Sequence, residues 1–187
     1  MNKRLRVYLL VSLTLAFLVS CVPQIQPTIP ATLTSLPSSM PSPTGIISPT
    51  LELVEITVFF TDSNAYAAGT PPFEIEVTRK VPAISNFPEA VLSAFFNGPT
   101  PAERALGLEA ITSGFVGISA LEIENGIARV YLTGTCASNG ATYTIAVPVI
   151  KNLLQFDEVT YVKIYDEHGE TELPGGDTNS IPFCLEP

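Results

Sequence analysis

The alternation of apolar and polar residues predicts most of the elements in the second half of this chain. From Val54 to Thr61 it runs Val54, Ile56, Val58 and Phe60 on one side, with Glu55, Thr57, Phe59 and Thr61 on the other. A period of two predicts a strand with one face in a core. Asp62-Ser63-Asn64 ends it, and Gly69-Thr70-Pro71-Pro72 marks a loop. Ile75 and Val77 resume the alternation through Val81 as a second strand. Asn86 with Glu89 forms a capping pair, and Pro88 fits a first turn, where a missing N–H costs nothing. Val91, Leu92, Phe95 and Phe96 then lie on one helical stripe, which Gly98-Pro99 ends. Thr100 and Glu103 open a shorter helix.

Further along, Leu121 and Ile123 lead to Asn125-Gly126, and Ala128, Val130 and Leu132 follow in alternation. Asn-Gly between two such runs predicts a hairpin, because both turn residues need positive φ. Ala146, Val149, Ile150, Leu153 and Leu154 predict a helix within Thr142 to Phe156, with Pro148 in its first turns or kinking it. Val159 to Tyr165 is a last strand, with Val162 and Ile164 inward and a turn at Asp166-Glu167-His168-Gly169. The expected order is strand, strand, helix, strand, strand, helix, strand. That is an α+β fold, a small mixed β-sheet with two main helices packed on one face.

The first half reads differently. Lys3, Arg4 and Arg6 precede an apolar run from Val7 to Leu18, followed by Val19-Ser20-Cys21. This arrangement resembles a bacterial lipoprotein signal peptide with its lipobox. The resemblance implies cleavage before Cys21, acylation of its thiol, and a mature protein on the extracytoplasmic face of the cell membrane. The run spans about 18 Å as a helix, too short for a bilayer core. Two or more acyl chains provide stable attachment, at about 0.8 kcal/mol per buried methylene. Residues 1–20 are thus read as signal peptide. Residues 21–50 are read as a tether: from Val22 to Thr50 there are seven prolines, ten serines or threonines and no charge. Such a composition cannot build a core. Residues 51–187 have the size of one domain.

Charge and cysteines sharpen this picture. The chain carries 9 Lys plus Arg against 18 Asp plus Glu, a net −9. Losing the three leader cations takes this to −12, which argues against nucleic acid and anionic lipid as partners. With Cys21 given to lipid, Cys136 and Cys184 remain as an even pair. Outside the cytoplasm such a pair implies a disulfide.

A second resemblance covers residues about 54 to 168, which look like a GerMN domain, a module of sporulation and spore-germination lipoproteins. It is carried by Val58-Phe59-Phe60-Thr61-Asp62, by Phe87-Pro88-Glu89-Ala90-Val91-Leu92 and by Phe96-Asn97-Gly98-Pro99-Thr100. The hairpin Glu124-Asn125-Gly126-Ile127-Ala128-Arg129-Val130-Tyr131-Leu132 and the segments Asn152 to Phe156 and Val162-Lys163-Ile164 complete it. The resemblance implies a small α/β fold similar to ring-building domains, and no enzymatic activity. The chain departs from the pattern in its cysteine pair, its long Ser63 to Phe73 loop and its added tail, Glu172 to Pro187.

Candidate chemistry is sparse. His168, the lone histidine, sits in a turn without a neighbouring nucleophile or orienting acid. The acids from Asp157 to Glu172 form no calcium-loop pattern, and two cysteines with His168 make no zinc spacing. The stretch Cys136 to Tyr143 holds Cys, Ser and Gly near a helix start, but a paired cysteine in an acidic domain is a poor nucleophile. No cofactor is expected. Phe59, Tyr131, Tyr161 and Tyr165 fall on strand faces opposite the core positions, so they form the candidate binding surface. The leading expectation is a non-catalytic, lipid-anchored interaction or assembly module that meets an envelope protein or a copy of itself. The alternative is an envelope lipoprotein capturing a small molecule or cell-wall glycan.

Overall fold

The computed structural model describes residues 52–83 and 86–187. Cys21 and the tether of residues 22–50 lie outside the described residues.

Strand β1 (Leu53–Asp62) alternates as expected, and its Ile56, Val58 and Phe60 are buried. β2 (Glu74–Pro82) pairs with it antiparallel, from Leu53 opposite Pro82 to Thr61 opposite Glu74. The connection differs from the expected loop. Helix α1 (Ser63–Ala68) forms there, because the Asp62 carboxylate accepts from the amides of Asn64 and Ala65 at 2.9 and 3.1 Å. Gly69, at φ 65°, closes it. An acid read as a strand terminator is also a helix cap, and six residues suffice for one turn and a half.

Helix α2 (Phe87–Asn97) starts on the Asn86 side chain, which accepts from the Glu89 amide at 3.2 Å, and stops at Gly98. It buries Val91, Leu92 and Phe95. Helix α3 (Pro101–Ala105) carries a reciprocal capping box between Thr100 and Glu103. The two-residue strand β3 (Leu108–Glu109) then pairs with the end of β1.

β4 (Phe115–Glu124) and β5 (Ile127–Gly134) form the predicted hairpin, with Asn125 and Gly126 at φ 53° and 80°. β4 begins six residues before Leu121, where the alternation starts. Register shifts fall between Phe115 and Gly117 and between Ile118 and Ala120, so the period of two is broken where the strand begins. Helix α4 (Ala146–Leu153) is shorter than Thr142 to Phe156, and Pro148 occupies its first turn, where no intrahelical N–H bond is needed. β6 (Tyr161–Tyr165) runs parallel to β5.

The class is α+β, and the strands divide into two three-stranded sheets, ordered β2-β1-β3 and β4-β5-β6. The second is mixed, antiparallel at β4-β5 and parallel at β5-β6. α2 packs on β1 and β4, while α4 packs on β1, β6 and α2. The helices therefore bridge the sheets, and one core runs between them. Phe60 stacks on Phe95 at 5.8 Å within it, alongside Val130, Leu132, Val149, Leu153, Val162 and Ile164.

Between the sheets the polar bookkeeping falls to α4. Asn152, fully buried, accepts from the Phe59 amide and donates to the Phe59 carbonyl, both at 2.9 Å. Its amide thus stands in for a neighbouring strand along an edge of β1 that β3 is too short to cover. Gln155 extends this by donating to the Thr57 carbonyl at 3.2 Å.

Candidate functional site

The carboxyl-terminal tail is built onto the second sheet. It follows the outer edge of β6 instead of hanging free. The Ile164 amide donates to the Ser180 carbonyl at 2.9 Å, the Ser180 amide to Val162 at 3.0 Å, and the Val162 amide to the Asn179 side chain at 2.8 Å. The 3₁₀ turn Phe183–Leu185 ends the tail, with Leu185 buried in the core. Cys184 in that turn is bonded to Cys136, with Cα atoms 6.4 Å apart, as the even cysteine count implied. Ser138 reinforces the junction by donating to the Cys184 carbonyl at 2.6 Å. Cys136 is therefore no free nucleophile.

Lys163 explains why the tail takes its path. The residue lies between Tyr161 and Tyr165 on the face of β6 opposite Val162 and Ile164, so alternation places it outward. It is nevertheless fully buried. Its ammonium donates to the carbonyls of Leu173, Gly175 and Thr178 at 2.7, 2.9 and 3.2 Å. A buried cation is costly unless hydrogen-bonded, and here three carbonyl dipoles replace water. The loop of residues 173–178 is thus gathered around one ammonium group. The sequence pattern contains no signal for this, because Lys163 reads as an ordinary exposed position in an alternating strand.

The predicted aromatic surface is only partly assembled. Phe59 belongs to the first sheet, half-buried beneath the Lys151 ammonium, which lies 4.9 Å from its ring centroid. Tyr131 and Tyr165 belong to the second sheet and stack at 4.7 Å, while Tyr161, half-buried, lies at the other end of β6 opposite Ile127. Tyr165 is 7% exposed, so it is not the open aromatic face that alternation suggested. The tail and its turn cover that face. Burial raises the Tyr131 phenol above its ordinary range. His168 is an exposed turn residue whose amide donates to the Asp166 carboxylate at 2.9 Å. Among the described residues, no three His, Cys, Asp or Glu side chains gather where they could hold a metal ion.

Two further features escaped the sequence reading. Tyr143 donates to the Glu74 carboxylate at 2.6 Å and lies 3.1 Å from the Thr61 hydroxyl, with Tyr66 and Phe73 packed around it. Burial and the neighbouring Glu74 push its phenol well above the ordinary range. A tyrosine next to an apolar helix start has a hydroxyl that needs a partner once its ring is covered, and that was the available signal. Phe183 is the second, 84% exposed despite its bulk. It lines a surface cavity of about 580 Å³ with Tyr165, Pro174 and the carboxylate-bearing Asp166, Glu170 and Glu172.

The fold is that of a small α+β module with a disulfide-pinned tail. Residues 57–171 match the Germane family, described as "Sporulation and spore germination", and the chain belongs to it as a GerMN-domain protein. It is similar to the tandem GerMN domains of the sporulation protein GerM from Bacillus subtilis, at 17% identity and TM-score 0.45, covering 68% of this chain and 46% of that one. Similarity to the first GerMN domain of the same protein is at 20% identity and TM-score 0.44, covering 67% and 92%. No curated protein matches. The family is one linked to sporulation and germination, and the chain spans about half the length of the tandem-domain protein. Among the described residues, no helix is long and apolar enough to cross a membrane.

Proposed function

We propose that this protein is a non-catalytic lipoprotein, anchored by acylated Cys21 to the outer side of the cell membrane, whose GerMN domain binds another envelope protein or a copy of itself. The observation that carries the reading is the order of parts along the chain. Residues 1–20, which resemble an export signal, precede Cys21 and an uncharged Pro, Ser and Thr tether, and then comes a domain closed with a Cys136–Cys184 bond. A bond between residues 48 apart suits an oxidising compartment. The tether could hold the domain roughly 90 Å from the bilayer, taking ~3.1 Å per residue in an extended polyproline form. That distance serves contact with other envelope components.

The test is in cells. Cys21→Ser is expected to move the protein from the detergent-rich membrane phase to the aqueous phase, and crosslinking of intact cells is expected to trap protein partners on the wild type. Unchanged partitioning of Cys21→Ser would remove the anchor. Crosslinking that yields neither a partner nor a self-adduct would remove the interaction role.

A further inference from the structure

The groove between the end of β6 and the tail is lined by both apolar and acidic residues. Tyr165, Pro174 and the Phe183 ring supply the apolar part. Glu170 and Glu172 supply the carboxylates, and neither forms an ion pair with a lysine or arginine among the described residues. The Asp166 carboxylate, by contrast, already accepts from the amides of His168 and Glu170, both at 2.9 Å. The nearest lysine on this strand, Lys163, has its ammonium committed to backbone carbonyls. Phe183 stands 84% exposed while its neighbour Cys184 is bonded to Cys136, so the ring is held outward by a fixed backbone. An exposed aromatic on a pinned turn is preorganised to be buried by something else.

Charge selects the occupant. Carboxylates repel nucleic acid and anionic lipid, whereas carboxylates and aromatic ring faces both attract ammonium and guanidinium groups. A free amine would satisfy the acids but leave Phe183 uncovered. We infer that the groove between β6 and the tail docks a basic protein segment, in which lysine or arginine alternates with apolar side chains that cover Phe183. This rests on the interaction reading above and names the chemistry of the partner.

The test uses the full chain in nanodiscs of zwitterionic lipid, with empty nanodiscs as blank. Binding of a fluorescent peptide of repeated Lys-Gly-Leu is followed by anisotropy, against repeated Lys-Gly-Ser and Glu-Gly-Leu. Only the first is expected to bind well. Phe183→Ser should weaken it by about tenfold, and the pair Glu170→Gln and Glu172→Gln by about fivefold. The exposed pair Glu122→Gln and Glu124→Gln on β4, equal in charge change, should leave it unchanged. Equal binding of the serine peptide, displacement by spermine without any dependence on Phe183, or an equal loss from the β4 pair would each overturn the inference. A partner crosslinked in cells whose capture ignores Phe183→Ser would also overturn it, while leaving the interaction reading intact.

Discussion

The side-chain amide of Asn152 closes a two-way hydrogen-bonded pair with the backbone of Phe59, 93 residues earlier in the chain. One helix residue thereby supplies what a neighbouring strand would supply, and the two sheets share a core without sharing a ladder.

Asn152→Leu should keep the volume and abandon both bonds, leaving the Phe59 amide and carbonyl facing an apolar side chain. Stability to urea is expected to fall by about 2–3 kcal/mol, the cost of stranding buried backbone groups. Asn152→Asp should be no milder, since a carboxylate cannot donate to the Phe59 carbonyl. Equal midpoints for wild type and Asn152→Leu would show that water replaces the amide.

Lys163→Met should loosen the loop of residues 173–178 rather than the whole domain. The three carbonyls lose their donor but lie close enough to the surface to hydrate. Hydrogen exchange at the amides of Leu173 to Thr178 is expected to speed up while that of β5 holds. Global unfolding at mild denaturant would instead place Lys163 in the shared core.

The joint replacement Cys136→Ala and Cys184→Ala should cost about 2–4 kcal/mol by the chain-entropy account of a loop this long. Leu185 is anchored in the core beyond Cys184, so the tail should stay docked in the absence of denaturant. Denaturant titration with proteolysis of the tail checks both halves.

The Arg79–Glu103 pair predicts a pH dependence. The guanidinium meets the carboxylate through two bonds, at 2.8 and 2.6 Å, and holds its pKa down to about 2 from 4.5. Because the folded value is the lower one, the pair stabilises the fold above pH 4.5 and loses that contribution as pH falls towards about 2. Glu103→Gln should flatten that part of the acid-unfolding curve by at most about 1 kcal/mol, given its partial exposure. An unchanged curve between these pH values would show that the pair contributes nothing.

Much of this protein was legible before any coordinates. Alternation located β1 and β5, each with one buried face, and β2, whose inner face is only half-buried. It also located β6, whose apolar Val162 and Ile164 alternate although both of its faces are buried. Asn125-Gly126 located the hairpin because only such residues take that turn cheaply. Asn86, Glu89, Pro88 and Gly98 bounded α2 through groups that must be capped locally. All of these are short-range constraints. β4 was seen only from Leu121 onward, since its bulges erase the period that identifies a strand.

What the sequence by itself determined was class, family, the order of the long elements and the pairing of Cys136 with Cys184, while α1, β3 and the division into two sheets were not foreseen. Tertiary structure alone decided which polar groups replace a missing strand, why a lysine in an alternating run is buried, and which aromatic stands open. Asn152 meets Phe59, and Lys163 meets Leu173, Gly175 and Thr178, only after distant segments have packed. Local patterning records which face a residue prefers. It does not record which backbone groups arrive there unpaired, and that arrival buried Tyr165 under the tail while leaving Phe183 exposed.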